Sequence, residues 1–115
     1  MSDCIFCRIV AGEIPAKEVA RSDGAVAFHD LNPQAPVHVL VVPMTHLDNA
    51  AATDTDEGER VMARTVRLAV QVARQLGLNQ SGYRLVINTG PNGGQSVGHL
   101  HVHVLGGRAM KWPPG

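Results

Sequence analysis

Three histidines at alternate positions form the most unusual chemical pattern in this sequence. His99, His101 and His103 alternate with apolar residues in the segment HLHVHVL. On a β-strand this alternation places the imidazoles on one face, towards a cleft or solvent, and the apolar side chains on the other, against a helix. The first and last histidines would lie about 13 Å apart at ~3.3 Å per residue, so one compact site could hold two of them.

Three interpretations of this strand assign different chemistry to the imidazoles. The first is a polar outer face, although Thr, Lys or Glu is the more usual choice there. The second is a catalytic metal site, since His-x-His is a familiar zinc pair. The third is nucleophilic catalysis at phosphorus, because a neutral imidazole nitrogen is a good nucleophile near pH 7. The glycine-rich segment 89–98 favours the third, since its backbone N–H groups could approach an anion without Cβ obstruction.

A second chemical pattern is the Cys-x-x-Cys pair of Cys4 and Cys7. A reducing compartment disfavours a structural disulfide. A redox pair of the thioredoxin type usually follows a strand, and no strand-forming run precedes Cys4. The spacing suits two thiolates on one zinc ion, which would need two further ligands from elsewhere. From the pair alone, two reduced cysteines packed as small apolar residues are an equal alternative.

The rest of the sequence predicts the elements that position these residues. A short helix is predicted at residues 4–11 and one long helix at residues 56–76, with Asp56 and Glu59 as a capping box and Gly77 as its stop. The inner face of the long helix is predicted from apolar residues at helical spacing. Its members are Val61, Met62, Thr65, Val66, Ala69, Val72, Ala73 and Leu76.

Five strands complete the predicted fold, at residues 17–21, 25–29, 38–42, 83–88 and 99–105. Their order along the chain predicts an α+β fold, in which the long helix covers one face of a five-stranded antiparallel sheet. A length of 115 residues predicts one domain, residues 1–115.

Composition excludes several classes of protein. Ten basic and ten acidic side chains cancel, so we expect no broad basic surface for nucleic acid. The sequence has no apolar run near the ~18 residues of a membrane span and no signal-peptide pattern. We therefore expect a cytoplasmic protein that binds neither nucleic acid nor membranes.

The segment 94–107, GQSVGHLHVHVLGG, resembles the signature of the histidine triad (HIT) family, His-φ-His-φ-His-φ-φ. The stretches IPA, FHD, PQAP and GGRAMKWPPG resemble its branch of nucleotide-binding proteins, Hint, and the resemblance covers essentially the whole chain. It implies a purine nucleotide-binding phosphoramidate hydrolase that cleaves adenosine 5′-phosphoramidates or acyl-AMP to AMP. The alternatives are a nucleotide-binding scaffold with incidental hydrolysis and a dinucleoside polyphosphate hydrolase.

The resemblance also implies roles for individual residues. His101 would be the nucleophile and form a nucleotidyl-histidine intermediate, with its other ring N–H bonded to a backbone carbonyl. His103 and Ser96 would hold phosphate oxygens, and His38 would support the site near the leaving atom. Asp30 would accept the ribose hydroxyls. The other substrate-binding residues implied are Phe6, Ile9, Ile14, Phe28, Leu31, Asn88, Gly94, Gln95 and Trp112.

Four further positions match the zinc ligands of some bacterial relatives, namely Cys4, Cys7, His46 and His99. Two thiolates and two imidazoles make a closed tetrahedral site, so the zinc would be structural and the chemistry would need no metal. The resemblance also implies a homodimer with the sheet extended across it and Trp112 near the partner's active site. Symmetric pairing is the common way for so small a chain to cover its remaining apolar surface.

Overall fold

The computed structural model describes residues 3–115 and contains one five-stranded antiparallel sheet. The strands are β1 (Glu18–Arg21), β2 (Ala25–His29), β3 (Val37–Pro43), β4 (Tyr83–Val86) and β5 (Val102–Gly106). The helices are α1 (Ile5–Val10), α2 (Asp56–Gln75) and the single turn α3 (Gly90–Gly93), and a 3₁₀ helix spans Ala50–Thr53. The order across the sheet is β1-β2-β3-β5-β4, so β1 and β4 form its edges. The predicted α+β class is confirmed.

Helix α2 packs on one face of the sheet and forms the main core with alternate residues of the three central strands. Val39, Val41, Val102 and Val104 are fully buried in this core, and each such side chain contributes about 1.5–3 kcal/mol. The buried apolar and hydroxyl side chains of α2 are Thr65, Leu68, Ala69, Val72 and Ala73. Four of them were predicted, whereas Leu68 was missed.

The two ends of α2 differ in how well the sequence predicted them. Thr55 is the N-cap, and its hydroxyl accepts the Gly58 N–H at 2.9 Å, so the predicted Asp56–Glu59 box is wrong. Both carboxylates instead lie in the first turn, where the helix dipole favours them. Gly77 follows the helix with φ +75°, a conformation that suits glycine, so the predicted stop is confirmed.

The opposite face of the sheet carries a second, smaller core and two of the histidines. Phe28, Leu40 and Val42 pack there with Phe6 of α1 in a second, smaller core. In the register of β3 with β5, Leu40 lies opposite His103 and His38 lies opposite Leu105. Because side chains alternate along a strand, this register places His38 and His103 on the face turned away from α2.

The last strand begins three residues later than predicted, at Val102 instead of His99. His99 and His101 precede the strand, so the prediction that three imidazoles share one strand face is wrong. The Leu100 N–H donates to the Leu47 carbonyl at 2.7 Å, which holds this segment beside the residues that follow β3 instead of within the sheet. Val102 and Val104 do pack towards α2, as predicted.

Smaller differences concern the segment before the histidines. The fourth strand ends at Val86, so Asn88 lies beyond it, and the predicted glycine-rich loop contains the turn α3. Within residues 3–115, no helix combines the length and the apolar character needed to cross a membrane.

Candidate active site and metal centre

A cavity of about 270 Å³ opens on the sheet face opposite α2. Its apolar wall contains all five residues predicted for a purine pocket, namely Phe6, Ile9, Ile14, Phe28 and Leu31. Its polar wall includes Asp30, Ser96, His101 and His103, all predicted site residues. Lys17 and His29 also line it, and neither was predicted to contact a substrate. The cavity therefore joins an apolar surface to three imidazoles and a carboxylate.

The imidazole of His101 is held in one tautomer. Its Nδ1 lies 2.7 Å from the His99 carbonyl oxygen, which can only accept a hydrogen bond. Nδ1 therefore carries the proton, and Nε2 of the neutral ring keeps its lone pair. The residue is 4% exposed, and the Phe6 ring packs edge-on against it with centroids 5.1 Å apart. The backbone hydrogen bond expected from the sequence is thus present.

His38 and His103 form a second hydrogen-bonded unit with a fixed direction. The Gln34 backbone N–H donates to His38 Nδ1 at 3.0 Å, so the proton of the neutral His38 ring lies on Nε2. His38 Nε2 lies 2.9 Å from His103 Nδ1 and donates to it, which leaves the His103 proton on Nε2. Within residues 3–115, the buried His103 Nε2 has no hydrogen-bond partner. A donor on the cavity wall is therefore available to a ligand.

Burial keeps both rings neutral at pH 7. It lowers the pKa of His38, and the nearby Asp30 carboxylate opposes this effect. Burial, followed by repulsion from the protonated forms of His101 and His38, lowers the pKa of His103 to about 4, again against the influence of Asp30. The hydrogen bonds from Gln34 to His38 and from His38 to His103 require both rings to be neutral, because each Nδ1 must accept.

Asp30 is held at the edge of this unit. Its Oδ1 accepts the Asn32 backbone N–H at 2.8 Å, and its Oδ2 lies 3.4 Å from His38 Nε2. A carboxylate offers about four acceptor positions, so lone pairs remain for hydroxyl groups of a ligand in the cavity. The contact of Asp30 with two neighbouring hydroxyls stays a prediction.

The four predicted metal ligands come together beside α1. Cys4 Sγ lies 3.2 Å from His99 Nδ1, and Cys7 Sγ lies 3.3 Å from His46 Nδ1 and 3.5 Å from His99 Nδ1. All four ligand atoms lie within 4.8 Å of one another. In a tetrahedral zinc site, bonds of about 2.3 Å to sulfur and 2.05 Å to nitrogen separate such atoms by about 3.6 Å. The spacing fits a four-coordinate zinc ion.

The far nitrogen of each metal-facing ring has an oxygen acceptor. His99 Nε2 donates to the Pro43 carbonyl at 2.9 Å, and His46 Nε2 donates to Asp48 Oδ1 at 3.0 Å. Both Nδ1 lone pairs therefore point towards the thiols, as metal ligation requires. Asp48 was missed by sequence reasoning, although the spacing His46-x-Asp48 was an available signal.

A second group of metal-ligating residue types, Asp30, His38 and His103, also lies within 4.8 Å. It does not fit a metal ion. Because His38 Nδ1 accepts the Gln34 N–H, the nitrogen that faces His103 and Asp30 carries a proton and has no lone pair to offer.

Four predicted substrate-binding residues lie away from the cavity of the single chain: Asn88, Gly94, Gln95 and Trp112. Gln95 instead braces the loop, because its Oε1 accepts the Gly90 N–H and its Nε2 donates to the Asp48 and Val97 carbonyls. Trp112 is 84% exposed. Asn88 lines a separate groove under the C-terminal tail. His38 does not line the cavity and is linked to it by its hydrogen bond with His103.

Comparison with known proteins gives one consistent result. The sequence model of the HIT domain family matches residues 11–110 of this chain. The 14 kDa zinc-binding protein of Brassica juncea is 45% identical over 118 residues, which cover 98% of this chain and 100% of the relative. Adenylylsulfatase HINT1 of Arabidopsis thaliana is 44% identical, with 99% and 78% covered. The crystal structure of a HIT family hydrolase from Legionella pneumophila superposes with a TM-score of 0.93 at 43% identity, with 98% and 100% covered.

Proposed function

Because this chain belongs to the HIT domain family, we propose that it is a nucleotide hydrolase that cleaves purine nucleoside 5′-phosphoramidates to the nucleoside monophosphate. The proposal depends above all on the hydrogen bond of 2.7 Å from His101 Nδ1 to the His99 carbonyl. In the neutral ring, that bond leaves Nε2 unprotonated on the cavity wall, and such a nitrogen is a nucleophile.

The first step is attack of His101 Nε2 on the α-phosphorus. An Nε2–P bond forms and the bond from phosphorus to the leaving nitrogen breaks; the electron pair stays on that nitrogen, which takes a proton from solvent. Positive charge develops on the ring, and the His99 carbonyl stabilises it through the Nδ1–H. The Nε2–H of His103 donates to a phosphate oxygen, with Ser96 beside it on the cavity wall.

The second step returns the enzyme to its starting state. Water attacks the phosphorus, the P–Nε2 bond breaks, and its electron pair returns to Nε2. The proton lost by the water passes to solvent, and the monophosphate leaves. The apolar wall, which includes Phe6 and Phe28, binds the base, and Asp30 accepts the two ribose hydroxyls.

The metal centre takes no part in these steps. Cys4, Cys7, His46 and His99 would hold zinc, and a bound zinc ion would supply a cross-link between α1 and the segments that follow β3 and precede β5. Since Phe6 of α1 lines the cavity, we infer that the metal supports the pocket wall.

The leaving group is the least constrained part of the proposal. A relative is named as an adenylylsulfatase, and the same attack of His101 on the α-phosphorus would release sulfate from adenylylsulfate with its P–O electron pair. Adenylylsulfate is therefore a second candidate substrate, and it requires no change in the roles of the residues.

Mass spectrometry of the protein mixed with a slowly hydrolysed adenosine phosphoramidate tests the mechanism. We expect an adenylylated peptide at neutral pH, with fragmentation placing the nucleotide on His101 and none found in His101→Ala. Tight AMP binding without an adduct or turnover would favour a nucleotide-binding scaffold instead. Immediate loss of turnover on chelation would favour a catalytic metal site.

We further propose a two-fold symmetric homodimer. Strand β4 is an edge of the sheet, and the 84%-exposed Trp112 follows Lys111, whose carbonyl accepts a hydrogen bond of 2.8 Å from Arg84. A large aromatic ring on an anchored tail is suited to contact with a second copy. Sedimentation at micromolar concentration should give the mass of a dimer, and a monomer would contradict the proposal.

A further inference from the structure

The chain after β5 crosses closely over the segment that joins β2 to β3. Gly107 has φ +88°, and a Cβ at this position would lie 2.8 Å from the Pro36 side chain, so the crossing requires glycine. Arg108 follows directly. Its Nε and Nη2 donate to the Gln34 carbonyl at 3.2 and 3.0 Å, and its Nη1 donates to the Ala109 carbonyl at 3.2 Å.

Gln34 is also the residue whose backbone N–H sets the direction of the histidine pair. That N–H lies 3.0 Å from His38 Nδ1, and His38 Nε2 lies 2.9 Å from His103 Nδ1. One residue thus accepts two hydrogen bonds from Arg108 on its carbonyl while its N–H begins the sequence of hydrogen bonds that ends at the cavity.

We propose that Arg108 is a positioning residue, which holds Gln34 so that His103 presents an N–H to the substrate's phosphate. If the Gln34 N–H moves away, His38 Nδ1 can carry the ring proton and Nε2 becomes an acceptor. His103 Nδ1 then donates to it, and His103 Nε2 presents a lone pair to the phosphate oxygens. The hydrogen bond is thereby replaced by repulsion. The inference rests on the proposed function for its consequence in catalysis, but not for the tautomers themselves.

The direct test is the tautomeric state of the histidine rings in long-range ¹H–¹⁵N correlation spectra of the full chain at pH 7.5. In the native protein, His38 and His103 should both show a protonated Nε2 and an unprotonated Nδ1. Arg108→Met removes the donors and keeps an apolar stem. We expect it to show a measurable population with protonated Nδ1 in both rings, and Arg108→Lys, which restores one cationic donor, to reduce that population.

Arg84→Ala is the matched control, because Arg84 anchors the same tail at the Lys111 carbonyl and not at Gln34. It should leave both tautomers unchanged. Activity supplies the second readout: kcat/KM should fall about tenfold in Arg108→Met, as expected for loss of one hydrogen bond to a charged group, and recover partly in Arg108→Lys.

Unchanged tautomers in Arg108→Met would overturn the proposal, even if its melting temperature fell, since that result describes a merely structural arginine. An equal shift in Arg84→Ala would overturn it as well, because the effect would then belong to the whole tail. If Arg108→Met does not fold, Arg108→Ala takes its place with the same outcomes. Absence of turnover in the native protein would refute the proposed function, while the spectra would still decide the role of Arg108.

Discussion

The candidate metal centre and the histidine pair of His38 and His103 use the imidazole side chain in opposite ways. In the metal centre, His46 and His99 donate their outer N–H to oxygen acceptors, and their lone pairs converge on the two thiols. In the histidine pair, the Gln34 backbone N–H donates to His38, and the Nε2–H of His103 remains for a ligand in the cavity. The group on the far nitrogen therefore decides whether an imidazole is a ligand or a donor.

The candidate metal centre is joined to His101 through one residue, His99. The side chain of His99 faces the thiols, while its backbone carbonyl accepts a hydrogen bond from His101 Nδ1. Phe6 packs against both rings, with centroid distances of 5.8 Å to His99 and 5.1 Å to His101. We therefore expect substitutions of the proposed metal ligands to affect stability, and substitutions of the proposed active-site residues to affect turnover.

The largest expected effect is on the catalytic side. His101→Ala removes the proposed nucleophile, so turnover of an adenosine phosphoramidate should fall by ~10⁴-fold or more. AMP affinity should stay within a few-fold, because the base and ribose contacts remain, and titration calorimetry measures it. Retention of a tenth of the native rate would rule out a covalent intermediate on this residue.

Substitutions at the proposed metal centre should lower the zinc content and the melting temperature. Cys4→Ser should reduce zinc from about one per chain to a small fraction, measured by atomic emission. A loss of about 2 kcal/mol would lower the melting temperature of a domain this size by roughly 8 °C. Asp48→Ala, which removes only the acceptor of His46, should weaken zinc binding about tenfold. Native zinc content in Cys4→Ser would show that the ligand assignment is wrong.

The ribose contact gives a smaller effect, confined to ligand choice. Asp30→Ala should weaken AMP binding by more than about tenfold, since hydrogen bonds to a charged group contribute about 1.5–3 kcal/mol each. Binding of 2′-deoxy-AMP, which lacks one hydroxyl, should weaken much less. The ratio of the affinities for AMP and 2′-deoxy-AMP separates this contact from any effect of Asp30 on His38. Equal losses of affinity for the two nucleotides would show that Asp30 does not bind the ribose.

A final effect is a pH dependence of stability. The folded pKa of His103 is about 4, below the ordinary 6.5, so the unfolded chain binds the extra proton between these values. The free energy of unfolding should therefore decrease as the pH falls from 6.5 to 4. His103→Gln removes this contribution, so its melting temperature should fall less steeply over the same range. Parallel slopes would contradict a buried neutral His103.

The sequence predicted best those features that depend on a repeated pattern. The long helix follows from apolar residues at helical spacing, and the strand β3 follows from a β-branched run that ends at Pro43. The start of β5 was wrong although the alternation is regular. Distant partners override the pattern there: Leu47 accepts the Leu100 N–H, and the ring of His99 turns to the thiols.

The parts of the candidate site formed by side chains could be predicted from the sequence, whereas the parts formed by backbone groups could not. The proposed metal ligands and the polar residues of the cavity wall were predicted from their residue types and from the resemblance to the HIT family. The role of Gln34 resides in its N–H and carbonyl, which every residue except proline possesses, so no residue type reveals it. For the same reason Arg108 gave no signal, because its acceptor is a carbonyl 74 positions away in sequence.

The hydrogen bond from His101 to the carbonyl of His99 also bears on how such a chain can evolve. A main-chain oxygen survives every amino-acid replacement at position 99. A lineage could therefore exchange this proposed metal ligand for another side chain, while the acceptor of the His101 Nδ1–H is inherited unchanged. The tautomer of His101 is in this sense independent of substitutions among the proposed metal ligands, so we expect variation in ligand identity to be tolerated across descendants that keep the same chemistry.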